Sequence, residues 1–212
     1  MMVKIMFKKI DIDTWDRKEH YAFFKNLDIP QYEMTFELDI TSFYHKIKEN
    51  KQSFYFQMMH LVMDVINDLE PFKYRMVDDH VYLYDCVHPS FTDRMGDSTL
   101  FKIVTTPFIK DSKTFILEAK RRSNAQHSFI DLEQEKRQDL VYITSFPWAS
   151  YIAASNAINI DSKDAIPRAS WGKFFMKENR VFLPFTLRVH HSFVNGYDVG
   201  LFIENIQKKL MM

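Results

Sequence analysis

The sequence predicts an α/β fold, a two-layer sandwich of helices on a mixed β-sheet. Segments with helical spacing of apolar residues interleave with segments of strand periodicity, without the strict β-α-β order of an all-parallel sheet. The 212 residues, 46% hydrophobic and 16% aromatic, suffice for one substantial core. No repeat, low-complexity tract or Gly/Ser linker divides the chain, so residues 1–212 are read as a single domain.

Taken in order, Asp13 can cap a helix over about Asp16 to Leu27, with Tyr21, Phe24 and Leu27 on one face that should be buried. Gln31 to Asp39 reads as a strand, and Thr41 opens a short helix ending near Asn50. From Ser53 to Leu69, Phe54, Met58, Leu61, Val62, Val65 and Ile66 recur at helical spacing until Pro71 stops them, which marks the central core helix. Phe72 to Met76 and Val81 to Tyr84 form a hairpin turning at Asp78-Asp79. A strand over Thr99 to Thr105 follows, then a polar helix from about Asp111 to Asn124, a charged, mobile-looking stretch from His127 to Asp139, and a strand from Leu140 to Ser145. Near the end Val181, Leu183, Phe185, Leu187 and Val189 alternate on one face of a strand, and continuing that parity puts His191 on the apolar side. Pro184 implies an edge or a bulge within this strand. Asp198 can cap a final helix whose Val199, Phe202, Ile206 and Leu210 form a buried stripe.

Composition excludes several functions. Basic and acidic residues balance at 28 each, so no overall field draws the chain onto nucleic acid or an anionic membrane. No apolar run approaches the roughly 20 residues that span a bilayer. The one cysteine, Cys86, permits no intrachain disulfide. Met1 to Phe7, followed by Lys8, Lys9, Asp11 and Asp13, lacks the pattern of a secretory leader, and a cytoplasmic location is expected. None of the four glycines has the spacing of a phosphate-binding loop. The adjacent histidines His190 and His191 point to opposite faces of a strand and no Cys or Asp/Glu set completes a ligand pattern, so no metal is expected. Taken alone, His191 is better explained by a hydrogen-bonded core histidine than by a catalytic one.

What gives His191 a role is the run His190-His191-Ser192-Phe193-Val194-Asn195-Gly196, which resembles the H-H-x-x-x-D-G signature of the chloramphenicol acetyltransferases. Trp15-Asp16-Arg17-Lys18-Glu19-His20 is similar to that family's W-x-R-K/R-E-H, and Leu38-Asp39-Ile40-Thr41 to its L/I-D-I-T. Phe54-Tyr55, Tyr84-Asp85-Cys86-Val87-His88-Pro89 with Phe91-Thr92, Phe146-Pro147-Trp148 and Leu183-Pro184 follow in order, so the resemblance covers essentially the whole chain.

The resemblance implies the fold of the coenzyme-A-dependent acyltransferases and a homotrimer whose active sites lie between subunits. It implies acetyl transfer from acetyl-CoA, as co-substrate, to a small-molecule hydroxyl, that of chloramphenicol, and so antibiotic resistance. His191 would be the general base; histidine, with an ordinary pKa of about 6.5, can take a proton and return it near neutrality. Thr144, three residues before Pro147, stands where the family has a serine that meets the oxyanion. Lys173 would meet the 3′-phosphate of coenzyme A and Tyr55 with Phe174 would sandwich its adenine, with Trp148 also assigned to that site. A second phosphate-binding lysine of the family aligns with Ser53, and Lys51 lies nearby. Phe24, Phe101, Phe129 and Ser170 would line the acceptor pocket, although Arg168 and Trp171 beside Ser170 are foreign to the family pattern. The signature aspartate is here Asn195, opposite the structural Arg17, so the turn that carries the histidine loses a charge unless Glu19 or Asp198 supplies one. The alternatives are an acyltransferase for another hydroxyl or amine, and a catalytically weakened ligand-binding homologue.

Overall fold

The computed structural model describes residues 6–212 apart from Asp97 and Asn159; Met1 to Ile5 of the leader reading lie outside them. Strand β1 (Phe7–Lys9) precedes α1 (Lys18–Phe24), β2 (Gln31–Asp39), α2 (Thr41–Glu49) and α3 (Phe54–Asp68). A 3-10 turn (Glu70–Lys73) leads into β3 (Tyr74–Val77), β4 (His80–Tyr84), β5 (His88–Arg94) and β6 (Phe101–Thr105). Then come α4 (Ser112–Ala125), α5 (Leu132–Glu135), β7 (Leu140–Phe146), β8 (Arg168–Gly172), β9 (Phe175–Lys177), β10 (Arg180–His190) and α6 (Gly196–Met211).

The larger sheet runs β2-β10-β8-β7-β5-β6, with β9 pairing β10, and the smaller runs β1-β4-β3. Strands β5, β7 and β8 are parallel to one another, whereas β2, β8 and β9 pair antiparallel with β10, and β6 with β5. The sheet is therefore mixed, as expected. Helix α3 carries Met58, Met59, Leu61, Val62, Met63, Val65 and Ile66 fully buried, more than one stripe, because it packs on sheet and helices at once. The alternating face of β10 meets the stripe of α6, with Phe185 stacked on Phe202 at 5.8 Å. Burying each such ring contributes roughly 2–3 kcal/mol. The hairpin turns where expected, with Asp78 and Asp79 at φ 47° and 63°, the conformation a two-residue type I′ turn requires. Among the described residues no helix is long and apolar enough to cross a membrane.

Several expectations are corrected. Asp13 does not cap α1, which starts at Lys18; Asp11 instead organises the preceding turn through the Asp13 N–H and the Thr14 hydroxyl. The helix ends at Phe24, so Leu27 is exposed rather than on a buried face. Asp198 is the third residue of α6 and Asn195 is its cap, in a reciprocal capping box. Pro184 lies on no edge: β10 pairs with β2 continuously, but on its other side β9 ends at Phe182 and β8 begins at Phe185, and the proline falls in that gap. The stretch before β7 is more tied down than its composition suggests, since Asp131 caps α5 and the buried Asp139 holds Arg137. Strands β1, β5, β8 and β9 were not anticipated. In β5, His88, Pro89, Ser90 and Phe91 are all buried, so this interior strand shows no alternation to read.

Candidate active site

Strand β10 ends at His190 and the chain turns, so strand parity stops one residue short of His191. His190 is the buried histidine of the pair. Its Nδ1 accepts from the Ser192 N–H at 3.1 Å and its Nε2 therefore donates to the Ser162 carbonyl at 2.8 Å. Burial pushes its pKa down, so it braces the turn as a neutral ring. His191 is only half-buried, which corrects the expectation that strand parity carries it to the buried, apolar side. Its N–H is bonded to the Pro30 carbonyl at 2.9 Å, and its ring lies between two others: Phe24 at 3.9 Å and 5° from parallel, and Tyr32 at 4.7 Å. Nδ1 is buried without a partner among the described residues, so Nε2 is the nitrogen left to face a substrate.

The turn is held by a different carboxylate from the one in the family signature. Arg17 donates to both oxygens of Asp198, at 2.8 and 3.0 Å, and to the Phe193 carbonyl at 2.8 Å. The bond to Asp198 raises the arginine's pKa further. Asn195 makes no bond to Arg17: its side chain accepts from the Asp198 N–H, and Asp198 accepts from the Asn195 N–H. Substitution at the signature position thus leaves the charge in place, moved one turn into α6.

A second group of residues sits further down the sheet. Thr35, Thr186, Ser170, Thr144 and Thr92 form a row of hydroxyls across β2, β10, β8, β7 and β5, since register partners share a face. Thr35 pairs with Thr186 at 2.8 Å and Thr92 with Thr144 at 3.0 Å, and Ser170 between them is buried with its hydroxyl unpartnered among the described residues. Tyr151 donates to the Ser170 carbonyl at 3.1 Å, and its ring packs where Gly172 lacks a side chain. A cleft of about 310 Å³ opens here, walled by Thr144, Phe146, Tyr151, Asn156, Ser170 and Trp171.

Phe101 and Phe129 lie together, 5.7 Å apart, both half-exposed, at the start of β6, two strands across from Thr144 and outside its cleft. Trp148 is exposed beside Phe146, and Lys173 is exposed with its N–H on the Ala149 carbonyl. The structure does not bring Tyr55 to Phe174. Tyr55 donates to the Thr92 carbonyl and packs on Phe91 and Trp171, whereas Phe174 sits against Tyr44 at 4.8 Å and Phe54 at 6.0 Å. Ser53 occupies the cap position of α3, and Lys51 is exposed just before it. Arg168 is held in an ion pair with Asp164, and Trp171 is buried with an edge on the cleft. Tyr32, Thr92, Tyr151 and Asn156 were not singled out from sequence. Only Thr92 carried a signal, as part of a matched motif.

The predicted residues thus fall apart, with His191 and Phe24 in one group, Thr144 and Ser170 in a second, and Phe101 with Phe129 as a separate pair. Thr144 is in register with Thr186 through Ser170, and His191 lies five residues beyond Thr186. That is about 17 Å along the sheet and about 10 Å across it.

Comparison with known proteins accords with the fold. The chain matches the family model described as Chloramphenicol acetyltransferase over residues 5–207. It is 32% identical over 206 residues to a chloramphenicol acetyltransferase of Staphylococcus aureus, covering 95% of this chain and 94% of the relative. It is 26% identical over 201 residues to one of Escherichia coli, covering 94% and 91%. A solved chloramphenicol acetyltransferase superposes with a TM-score of 0.89 at 25% identity, over 97% of this chain and 100% of the other. A dihydrolipoamide acetyltransferase of Azotobacter vinelandii shares the fold alone, with a TM-score of 0.69 at 13% identity over 91% and 86%. On the match over residues 5–207, this chain belongs to the chloramphenicol acetyltransferase family and is an acyltransferase.

Proposed function

We propose that this enzyme transfers the acetyl group of acetyl-CoA to the primary hydroxyl of chloramphenicol, with His191 as general base. The observation that carries the reading is the His191 imidazole, fixed between Phe24 and Tyr32 on a braced turn with one nitrogen open. Nε2 takes the hydroxyl proton as the oxygen attacks the thioester carbonyl carbon. A tetrahedral intermediate forms, its oxyanion accepting from the Thr144 hydroxyl. Thr92 and Thr144 share a hydrogen bond of 3.0 Å, and with Thr92 as its donor the Thr144 proton is left for the oxyanion. Collapse breaks the carbon–sulfur bond, and the departing thiolate recovers the proton from His191. Lys173 and Trp148, both exposed, with the half-buried Phe174, suit a nucleotide-bearing thioester; Tyr55 backs Thr92 from within, and Phe54 is a ring adjacent to Phe174.

Because His191 and Thr144 of one chain lie too far apart to serve one reacting carbon, the site takes them from two copies, in a cytoplasmic homotrimer. Exposed Phe23, Leu27 and Ile29 beside His191, and Phe146, Trp148 and Ile152 beside Thr144, supply apolar surface at both halves. Coenzyme A release with chloramphenicol tests the reading. It should require acceptor and vanish in His191→Ala. Refolding His191→Ala and Thr144→Ala chains together should restore part of the activity, and no restoration would refute the two-copy site. Release with other alcohols or amines but not chloramphenicol would assign a different acceptor.

A further inference from the structure

The cleft at Thr144 contains a polar group that the mechanism above does not use. Asn156, on the loop between β7 and β8, has its Nδ2 buried with no hydrogen-bond partner among the described residues. It shares the cleft with the unpartnered Ser170 hydroxyl and with Thr144. Two unsatisfied polar atoms facing one space are costly to a protein that gains nothing from them. Of the other loop side chains that line the cleft, Ala153 and Ala154 have no polar atom, the Tyr151 hydroxyl is engaged with Ser170 and Thr186, and Ser155 makes no hydrogen bond to the Asn156 amide. The two alanines also leave room in front of Asn156. Thr144, where the reacting carbonyl is placed, is one strand from Ser170, about 4.8 Å.

We infer that Asn156 is a specificity-determining residue. It donates through Nδ2 to a hydrogen-bond-accepting oxygen of the acceptor that lies close to the hydroxyl being acetylated. The enzyme therefore selects polyhydric or amide-bearing alcohols over plain alkanols, because a bound alkanol leaves Asn156 and Ser170 unpaired. Tyr151 is the positioning residue for this wall, tying the loop to β8 and β10 through Ser170 and Thr186. This inference rests on the proposed alcohol-acetylating function.

The test uses chloramphenicol and two analogues, one lacking its secondary hydroxyl and one lacking its amide carbonyl, with the parent, Asn156→Leu and Asn156→Ala. Both variants should raise the acceptor KM about tenfold while the KM for acetyl-CoA stays unchanged. The loss should disappear for the analogue missing the oxygen that Asn156 reads. An equal loss on all three acceptors, a parallel rise in the acetyl-CoA KM, or no loss at all would overturn the assignment. If the parent releases no coenzyme A, the function fails instead, and calorimetric titration of the three compounds reads the same discrimination from binding alone. A parent that binds none of them, or binds them no differently from Asn156→Leu, overturns the inference.

Discussion

Replacing Asp198 by Asn removes the charge that braces the catalytic turn and leaves its shape. Asp198 is 5% exposed and accepts two bonds from Arg17, which is 25% exposed and keeps its third bond to the Phe193 carbonyl. Breaking a fully buried pair costs about 3–5 kcal/mol and an exposed one about 0–1 kcal/mol. The intermediate exposure, with an amide still able to accept one bond, places this loss near 2 kcal/mol. For a chain of this length that lowers Tm by about 4–8 °C. Because Phe193 and Asn195 belong to the turn that carries His191, kcat should fall while the KM for acetyl-CoA holds. Urea unfolding and steady-state coenzyme A release measure the two effects. The control is Asn195→Asp, which restores the signature residue: aspartate caps a helix as well as asparagine does, and Arg17 already has its carboxylate. It should leave stability within about 0.5 kcal/mol. A neutral Asp198→Asn together with a faster Asn195→Asp would refute the transfer of the brace.

Thr144→Ala should lower kcat about 100-fold or more with little change in either KM, since the proposed mechanism uses the hydroxyl only at the oxyanion. His88 should make the fold acid-sensitive. Burial depresses its pKa to about 4, against the opposing pull of Asp139, so the folded ring stays neutral where the unfolded chain takes up a proton. Stability is then full above about pH 6.5 and lost as pH falls towards 4, by at most about 3 kcal/mol. Urea midpoints at pH 7 and 5 should converge in His88→Gln if a folded variant is recovered, and an equal drop in parent and variant would acquit His88. Gly172→Ala puts a Cβ 2.9 Å from the Tyr151 ring and 3.0 Å from Pro184, which should cost about 1–3 kcal/mol and raise the acceptor KM as Tyr151 is displaced. Thermal melts and acceptor titrations would detect it.

By itself the sequence determined whatever is written along one stretch of chain. The apolar spacing of α3, the alternation of β10, the Asp78-Asp79 turn and the stripe of α6 are local patterns whose period names the element. The histidine signature and its companion motifs were legible for the same reason, as residue types at set spacings. The β-strands whose two faces are both covered have no such period, so β5 and β8 emerged only once the sheet was assembled. Tertiary structure alone decided which carboxylate meets Arg17, since that contact joins residues 181 apart and depends on how α1 docks against the start of α6. It decided that His190, not His191, is the buried ring, because the strand stops between them. It also decided that Phe54 rather than Tyr55 faces Phe174, as helical rotation about α3 assigns adjacent rings to different neighbours. Above all it separated His191 from Thr144 by the length of half a strand and the width of two, a distance that spacing along the chain cannot express.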